Sequence, residues 1–196
     1  MKLDKKVEEK LLSYIKGVFV NDSWTLKHTL SAVKIIKQIA KSGGANEKIL
    51  ASAMYLHDIG YSGLLADGYS FSQRIAAKKE HMPVGAKMAK EFLTQVGGYT
   101  NKEISQITHL IEVHDRVDEL KTRDELFVLE ADSLASIDPK VPFSFSEEDV
   151  EKYVGFFLSH RAPKFISKKG KELLEKFSNE NKVFKRLVQK LNDNNN

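Results

Sequence analysis

Residues 53–61 read AMYLHDIGY, an apolar helical run that closes on a histidine, an aspartate and a glycine. Leu50, Ala53, Met54 and His57 repeat at helical spacing, so His57 belongs to the face that turns inward. Neighbouring side chains on a helix point about 100° apart. At the last turn, however, His57 and Asp58 can converge on one ion placed off the helix end, with Gly60 letting the chain turn away. A His-Asp dipeptide has almost no specificity by itself. Its meaning depends on which other polar residues share its interior.

Helical periodicity extends in both directions from this run. Val7, Leu11, Leu12 and Ile15 predict a first helix near 4–19, and Ser23 is read as the cap of a second that runs to about Lys41 and stops at Gly43-Gly44. Asn46 opens a third, ending near Asp58. Residues 60–72 (GYSGLLADGYSFS) read as a loop, followed by a short helix over Gln73–Lys79. Pro83 suits the first turn of the next helix, which Gly97-Gly98 ends. Further helices are predicted over about 101–115, 124–137 and 146–157. Two basic helices and a frayed NDNNN tail follow. No period-2 strand and no internal repeat appears. The expectation is one all-α domain over 1–196 with seven or more helices, its core at about 20–140 and basic helices over 146–192.

Three histidines and one acid fall on apolar stripes. His28 lies with Trp24, Ala32, Ile35 and Ile39, His114 with Ile104, Ile107 and Ile111, and Asp132 with Val128, Leu129 and Ala135. His109 precedes His114 by five residues, about 140° round the wheel, and should face elsewhere. For any one histidine, a buried imidazole with a hydrogen-bond partner is the commoner outcome. Asp132 is harder to place, because a carboxylate on an apolar face is costly unless paired or bound to a cation. Histidines and acids pointing inward from different helices have a common solution, a metal in the bundle core. Imidazole and carboxylate ligands suit Mn, Fe, Co, Ni or Zn, and carboxylate-rich variants suit Mg.

Composition narrows the classes. The 196 residues contain no cysteine, which excludes disulfides, thiolate metal sites and a cysteine nucleophile. No apolar run reaches the roughly 18 residues of a membrane span, and the charged opening MKLDKKVEEK does not resemble a signal peptide, so the expected setting is cytoplasmic. The net charge is +4, with lysines concentrated over 164–190. A solvated helix face is the favoured reading of that run. Attraction of a phosphorylated substrate or nucleic acid is the sharper one, without the interleaved aromatics that would point to nucleic acid.

With these residues assembled, the chain resembles the HD superfamily of metal-dependent phosphohydrolases. The resemblance rests on WTLKHTLSAV around His28, AMYLHDIGY around His57-Asp58 and LEADSLASID around Asp132, and it covers roughly 20–140. HMPVGAKMAKEF with His81 and IEVHDR with His114 are similar to the further elements of binuclear members. The resemblance implies that His28, His57, Asp58 and Asp132 hold one metal, and that His81, His114 and a bridging Asp58 hold a second. It also implies hydrolysis of a phosphate ester or anhydride, with a nucleotide as the expected substrate, by a metal-activated water. Candidates for general acid or phosphate contact are Glu80, Asp115, Arg116, Lys27 and Arg161, while Tyr61 and Tyr69 are placed to pack on a base. Tyr61 stands where members that cleave cyclic dinucleotides carry lysine, and their Gly-Tyr-Pro signature is absent, which argues against that substrate. Two other readings stay open. The ligand order also resembles HD-type di-iron oxygenases such as myo-inositol oxygenase, and a metal-stabilised binding module needs no catalysis. An oligomer is compatible with all of them.

Overall fold

The computed structural model describes residues 1–65 and 68–193. Among them lie ten α-helices and no strand: α1 (Lys5–Val18), α2 (Ser23–Gly43), α3 (Glu47–Leu56), α4 (Phe71–Ala77), α5 (His81–Val96), α6 (Asn101–Val113), α7 (Arg123–Ser136), α8 (Glu147–Phe156), α9 (Lys168–Glu180) and α10 (Lys182–Asp193). Short 3-10 turns occupy Ile59–Gly63 and Ala162–Lys164, and a π-helical turn occupies Phe157–Arg161. The all-α bundle expected from periodicity is the fold that forms. No helix among the described residues is long and apolar enough to cross a membrane.

The central helix is α7, where every residue from Phe127 to Ala135 is buried. A helix buried all round needs no polar stripe, and Glu130 and Asp132 are the charged exceptions in that stretch. α2 lies against α7 and α3, α6 against α3, and α5 against α6 and the first 3-10 turn. The helix ends are set locally. Asp22, rather than the expected Ser23, caps α2, because its carboxylate accepts from Thr25 N at 2.9 Å and from Thr25 Oγ1 at 2.7 Å. Gly44 closes that helix at φ 63°, a left-handed conformation that glycine adopts without a Cβ penalty.

The largest departure from the sequence reading is at residues 60–72. Ile59, Gly60 and Tyr61 form a buried 3-10 turn instead of an open loop. α4 starts at Phe71, two residues early, because Ser70 and Gln73 complete a reciprocal capping box. α3 stops at Leu56, so Asp58 heads the 3-10 turn instead of ending the helix. The expected frayed tail falls partly outside the described residues, since α10 continues to Asp193 and 194–196 are not described. Of the basic C-terminal residues, Arg186 and Lys190 pair with Glu147 and Glu151 of α8 at 3.0 and 2.6 Å, on a solvated face.

Two contacts position the elements that matter later. Gly60 lies against the start of α5 so closely that a Cβ there would fall on the His81 carbonyl and within 2.6 Å of Gly85 N. Glu125 joins α7 to α6. It accepts from Lys121 N, Thr122 N and His109 Nε2 at 2.7, 2.8 and 2.8 Å. His109 is therefore turned away from the His114 face, with its side chain 56% exposed.

Gly60→Ala is expected to lower stability by about 1–3 kcal/mol or more, as overpacking does, read as a shifted denaturant midpoint at unchanged slope. Burial pushes the Glu125 carboxyl up, but the Thr122 and Lys121 amides and His109 outweigh it and hold it at about 2, against an ordinary value of 4.5. A carboxyl depressed on folding contributes stability that is complete above the unfolded value and is lost as pH falls towards the folded one. The stability gap between the wild type and Glu125→Gln should accordingly be constant above about pH 4.5 and close as pH approaches 2.

Candidate metal centre

Six polar side chains converge where helices end. His57 is the C-cap of α3 and Asp58 follows it at the head of the 3-10 turn. His81 is the first residue of α5, and His114 is the C-cap of α6. His28 and Asp132 project from within α2 and α7. All six are buried, none more than 7% exposed.

Three of the four imidazoles are locked in one tautomer by the backbone. Nδ1 of His57, His81 and His114 lies 2.9, 2.7 and 2.7 Å from the carbonyls of Met54, Lys78 and Ile111. A carbonyl only accepts, so each Nδ1 carries the hydrogen and each neutral ring presents a lone pair at Nε2. These Nε2 atoms face one another. His81 and His114 approach at 3.3 Å, and His28 and His57 at 3.2 Å. The facing lone pairs of His81 and His114 repel at that distance unless a proton or a metal ion lies between them, whereas His28 Nε2 also lies 2.9 Å from Asp132 Oδ1 and its Nδ1 has no partner among the described residues.

Asp58 is shared between the two pairs. Its Oδ1 lies 3.6 and 3.7 Å from Nε2 of His81 and His114. Its Oδ2 lies 3.5 and 3.9 Å from Nε2 of His57 and His28. Two sets of donor atoms, from His28, His57 and Asp58 and from Asp58, His81 and His114, each fall within 4.8 Å of one another. Asp132 Oδ1 joins the first set, 2.9 Å from His28 and 3.5 Å from His57. Nitrogen and oxygen donors with fixed tautomers at these spacings fit a divalent metal in each cluster.

Electrostatics agree with that fit. Burial would raise the Asp58 and Asp132 carboxyls, but the cations beside them, His57 and Arg74 for Asp58 and Arg161 for Asp132, hold both well below the ordinary range. Burial works against a charged His57, yet Asp58 and Asp132 raise it to about 9. In the absence of metal a proton supplies there the positive charge that the carboxylates demand. Burial and the neighbouring His114 push His81 down to about 4, so it stays neutral.

Of the other expected site residues, the structure brings some to the cluster and leaves others away. Tyr61, Asp115 and Arg161 line the cavity that opens beside His28, Asp58 and Asp132. Tyr61 does not offer a face to a base, because its ring is stacked on His81 at 4.0 Å and covered by Arg74 at 3.9 Å. Tyr69 donates to Asp22 Oδ2 at 2.8 Å, and its ring lies 5.9 Å from the Arg74 guanidinium. Arg161 donates to Asp132 Oδ2 at 2.7 Å, to Ser133 Oγ at 3.0 Å and to Asp115, so its guanidinium serves the protein's own carboxylates. Burial opposes the charge on Asp115, but Arg161 and Lys78 keep its pKa low, which is unsuited to a proton donor. Lys27 and Glu80 are exposed and outside this cavity. Arg116 lies near Glu112 and Glu119 at 3.9 and 3.7 Å, on the surface side of its turn.

Sequence reasoning missed Arg74 and Lys78, both cavity-lining. The available signal was the Ser70…Gln73 capping box, which places them four residues apart on one face of a helix. The aromatic wall of Phe143, Phe145 and Tyr153 comes from segments that carried no motif.

Removing one partner of a buried ion pair costs about 3–5 kcal/mol, because the other charge is left uncompensated. Arg161→Ala is expected to lose that much in chemical denaturation of the metal-free protein. The loss should shrink when a divalent metal is added, since the metal would then neutralise Asp132.

A protein-family comparison matches the HD domain over residues 25–137. Comparisons with curated proteins and with solved structures gave no match. The matched span is more than half of the chain and contains all six converging side chains, and on that basis the chain belongs to the HD-domain family, a metal-dependent hydrolase fold.

Proposed function

We propose that the protein is a binuclear metal-dependent phosphohydrolase that cleaves a phosphate ester or anhydride of a nucleotide or a related small molecule. The observation that carries this reading is the single carboxylate of Asp58 placed between two imidazole pairs, one facing each oxygen. His28, His57, Asp58 and Asp132 would hold one ion and Asp58, His81 and His114 the other. Bound there, Mn, Fe, Co, Ni or Zn, or Mg, supplies an acidified water and polarises a phosphoryl oxygen.

The chain's own residues do the rest. Three cations, Arg74, Lys78 and Arg161, line the cavity against four carboxylates, Asp58, Asp115, Asp132 and Asp149. With neutral histidines this lining has no positive excess, so attraction of an anionic phosphoryl group depends on the metal ions. Neutral imidazoles hold a metal without adding repulsion towards that anion. Trp24, Phe143, Phe145, Val150 and Tyr153 supply an apolar part of the lining that supports a substrate with a flat, weakly polar part such as a nucleobase.

Metal-stripped protein should be inactive towards nucleotides and aryl phosphates. Mn, Co or Ni should restore turnover under nitrogen, with about two ions bound per chain, as expected of a two-metal site. Asp58→Asn should lower that turnover by more than the about 10–100-fold typical of losing an outer partner of a metal ligand. Metal uptake without turnover on any phosphate substrate would refute the proposal, and turnover that requires oxygen would assign the site to a different chemistry.

A further inference from the structure

Arg74 sits in a setting that its surface helix does not explain. α4 is only seven residues long, and its Ile75 is 51% exposed, yet the Arg74 side chain is 11% exposed and reaches the ligand cluster. Its Nη2 donates to Asp58 Oδ2 at 2.9 Å. Its Nη1 donates to Thr25 Oγ1 at 3.2 Å and to Tyr69 OH at 3.1 Å. The guanidinium carbon lies 3.9 Å from the centre of the Tyr61 ring and 5.0 Å from that of Trp24. Tyr61 in turn stacks on His81, and Trp24 stacks on His28 at 5.3 Å. The arginine is thus held by rings that themselves rest on one histidine from each cluster.

A surface ion pair needs no such support. Aromatic stacking fixes a guanidinium in orientation and leaves its edge available, which is how arginine recognises planar arrays of anionic oxygens. A guanidinium has five N–H donors. Three are used by Thr25, Tyr69 and Asp58, and two have no acceptor among the described residues. The other cations of the cavity are turned to its carboxylates. Arg161 also gives three donors, to Asp132, Ser133 and Asp115, but it faces two carboxylates and its unpartnered Nε is fully buried, and Lys78 lies 3.4 Å from Asp115.

We propose that Arg74 is the phosphoryl-binding residue of this site, its unused guanidinium edge receiving non-bridging oxygens of the substrate beside Asp58. The inference rests on the phosphohydrolase reading and names the residue that grips the reacting group. Tyr61 acts here as a positioning residue, supplying the platform that sets the guanidinium plane. Trp24 holds the same cation from its other neighbouring element and joins it to the apolar wall, so phosphoryl and flat group would be bound on one continuous surface.

The test is calorimetric titration of inorganic phosphate into Mn-loaded protein, with bound Mn per chain measured in the same samples. Arg74→Ala should weaken phosphate about 10–100-fold, the range for hydrogen bonds to a charged group, with Mn content unchanged. Free guanidinium ion should restore part of the affinity. Arg74→Lys keeps the charge but loses the planar fork, so it should recover only part and decides the question if the alanine variant does not fold. Tyr61→Phe should bind phosphate as the wild type does, and Tyr61→Leu should weaken it with Mn retained. Unchanged phosphate affinity in Arg74→Ala or, where that variant is unfolded, in Arg74→Lys overturns the proposal. So does a loss of Mn that accounts for the loss of phosphate, which would make Arg74 a support for Asp58 alone. Wild-type protein that takes up Mn and binds no phosphate overturns the phosphohydrolase reading and this inference together.

Discussion

Four imidazole nitrogens aimed at one buried carboxylate set the terms for the whole molecule. Three of the four rings have Nδ1 hydrogen-bonded to the carbonyl three residues earlier, which turns their lone pairs towards each other and towards Asp58. Such a cluster is unfavourable as neutral matter, because it brings the lone pairs of His81 and His114 to 3.3 Å and buries two carboxylates. Buried charge is tolerated only when compensated. Without metal, the compensation comes from a proton on His57 and from Arg74 and Arg161. A divalent metal in each cluster would supply that compensation instead. Binding free energy at such a site is also folding free energy, so the core and the site are one energetic unit.

Convergence on that point explains the unusual backbone around it. His57 keeps helical dihedrals, the chain leaves them at Asp58, and a tighter 3-10 turn over Ile59–Gly63 redirects it. The turn then packs backbone to backbone on α5, which only a residue without Cβ allows at Gly60, with Gly85 opposite. That close approach brings His81, at the first position of α5, to the carboxylate it faces. Tyr61, the next residue, lands on the His81 ring and fixes its plane.

Much of this was legible from periodicity, and the reasons for the rest are physical. Helical spacing placed His28, His114 and Asp132 on inward faces, and it turned His109 outward, because a wheel argument needs only 3.6 residues per turn and a buried stripe. It could not show the Nε2 convergence, which depends on how helix ends meet. It read residues 60–72 as loop, since Gly, Ser and Tyr signal turns locally. The buried 3-10 turn arises from a tertiary contact with α5 that leaves no local pattern. Arg74 was passed over for a related reason. An arginine on a short polar helix is ordinarily a surface residue, and only the placement of Trp24, Tyr61 and Tyr69 around it, from two other parts of the chain, makes it interior.

The division between ligands and cavity wall follows the division of the chain. Every proposed metal ligand lies within 25–137, the span that matches the HD domain. Much of the remaining lining is built after it, from Phe143, Phe145, Val150, Tyr153 and Arg161. The π-helical turn at Phe157–Arg161 widens the end of α8 by a residue, which lets Arg161 point inward to Asp132 while Tyr153, two turns earlier, faces the cavity. Arg161 is thus a mechanical link between the two parts. It fixes the second oxygen of Asp132 so that the first faces His28 and His57. A change in the outer helices can therefore alter which group the cavity admits and still be felt at a ligand oxygen and at His28 beside it, whereas His57, His81 and His114 are each fastened to a carbonyl three residues earlier in their own segment.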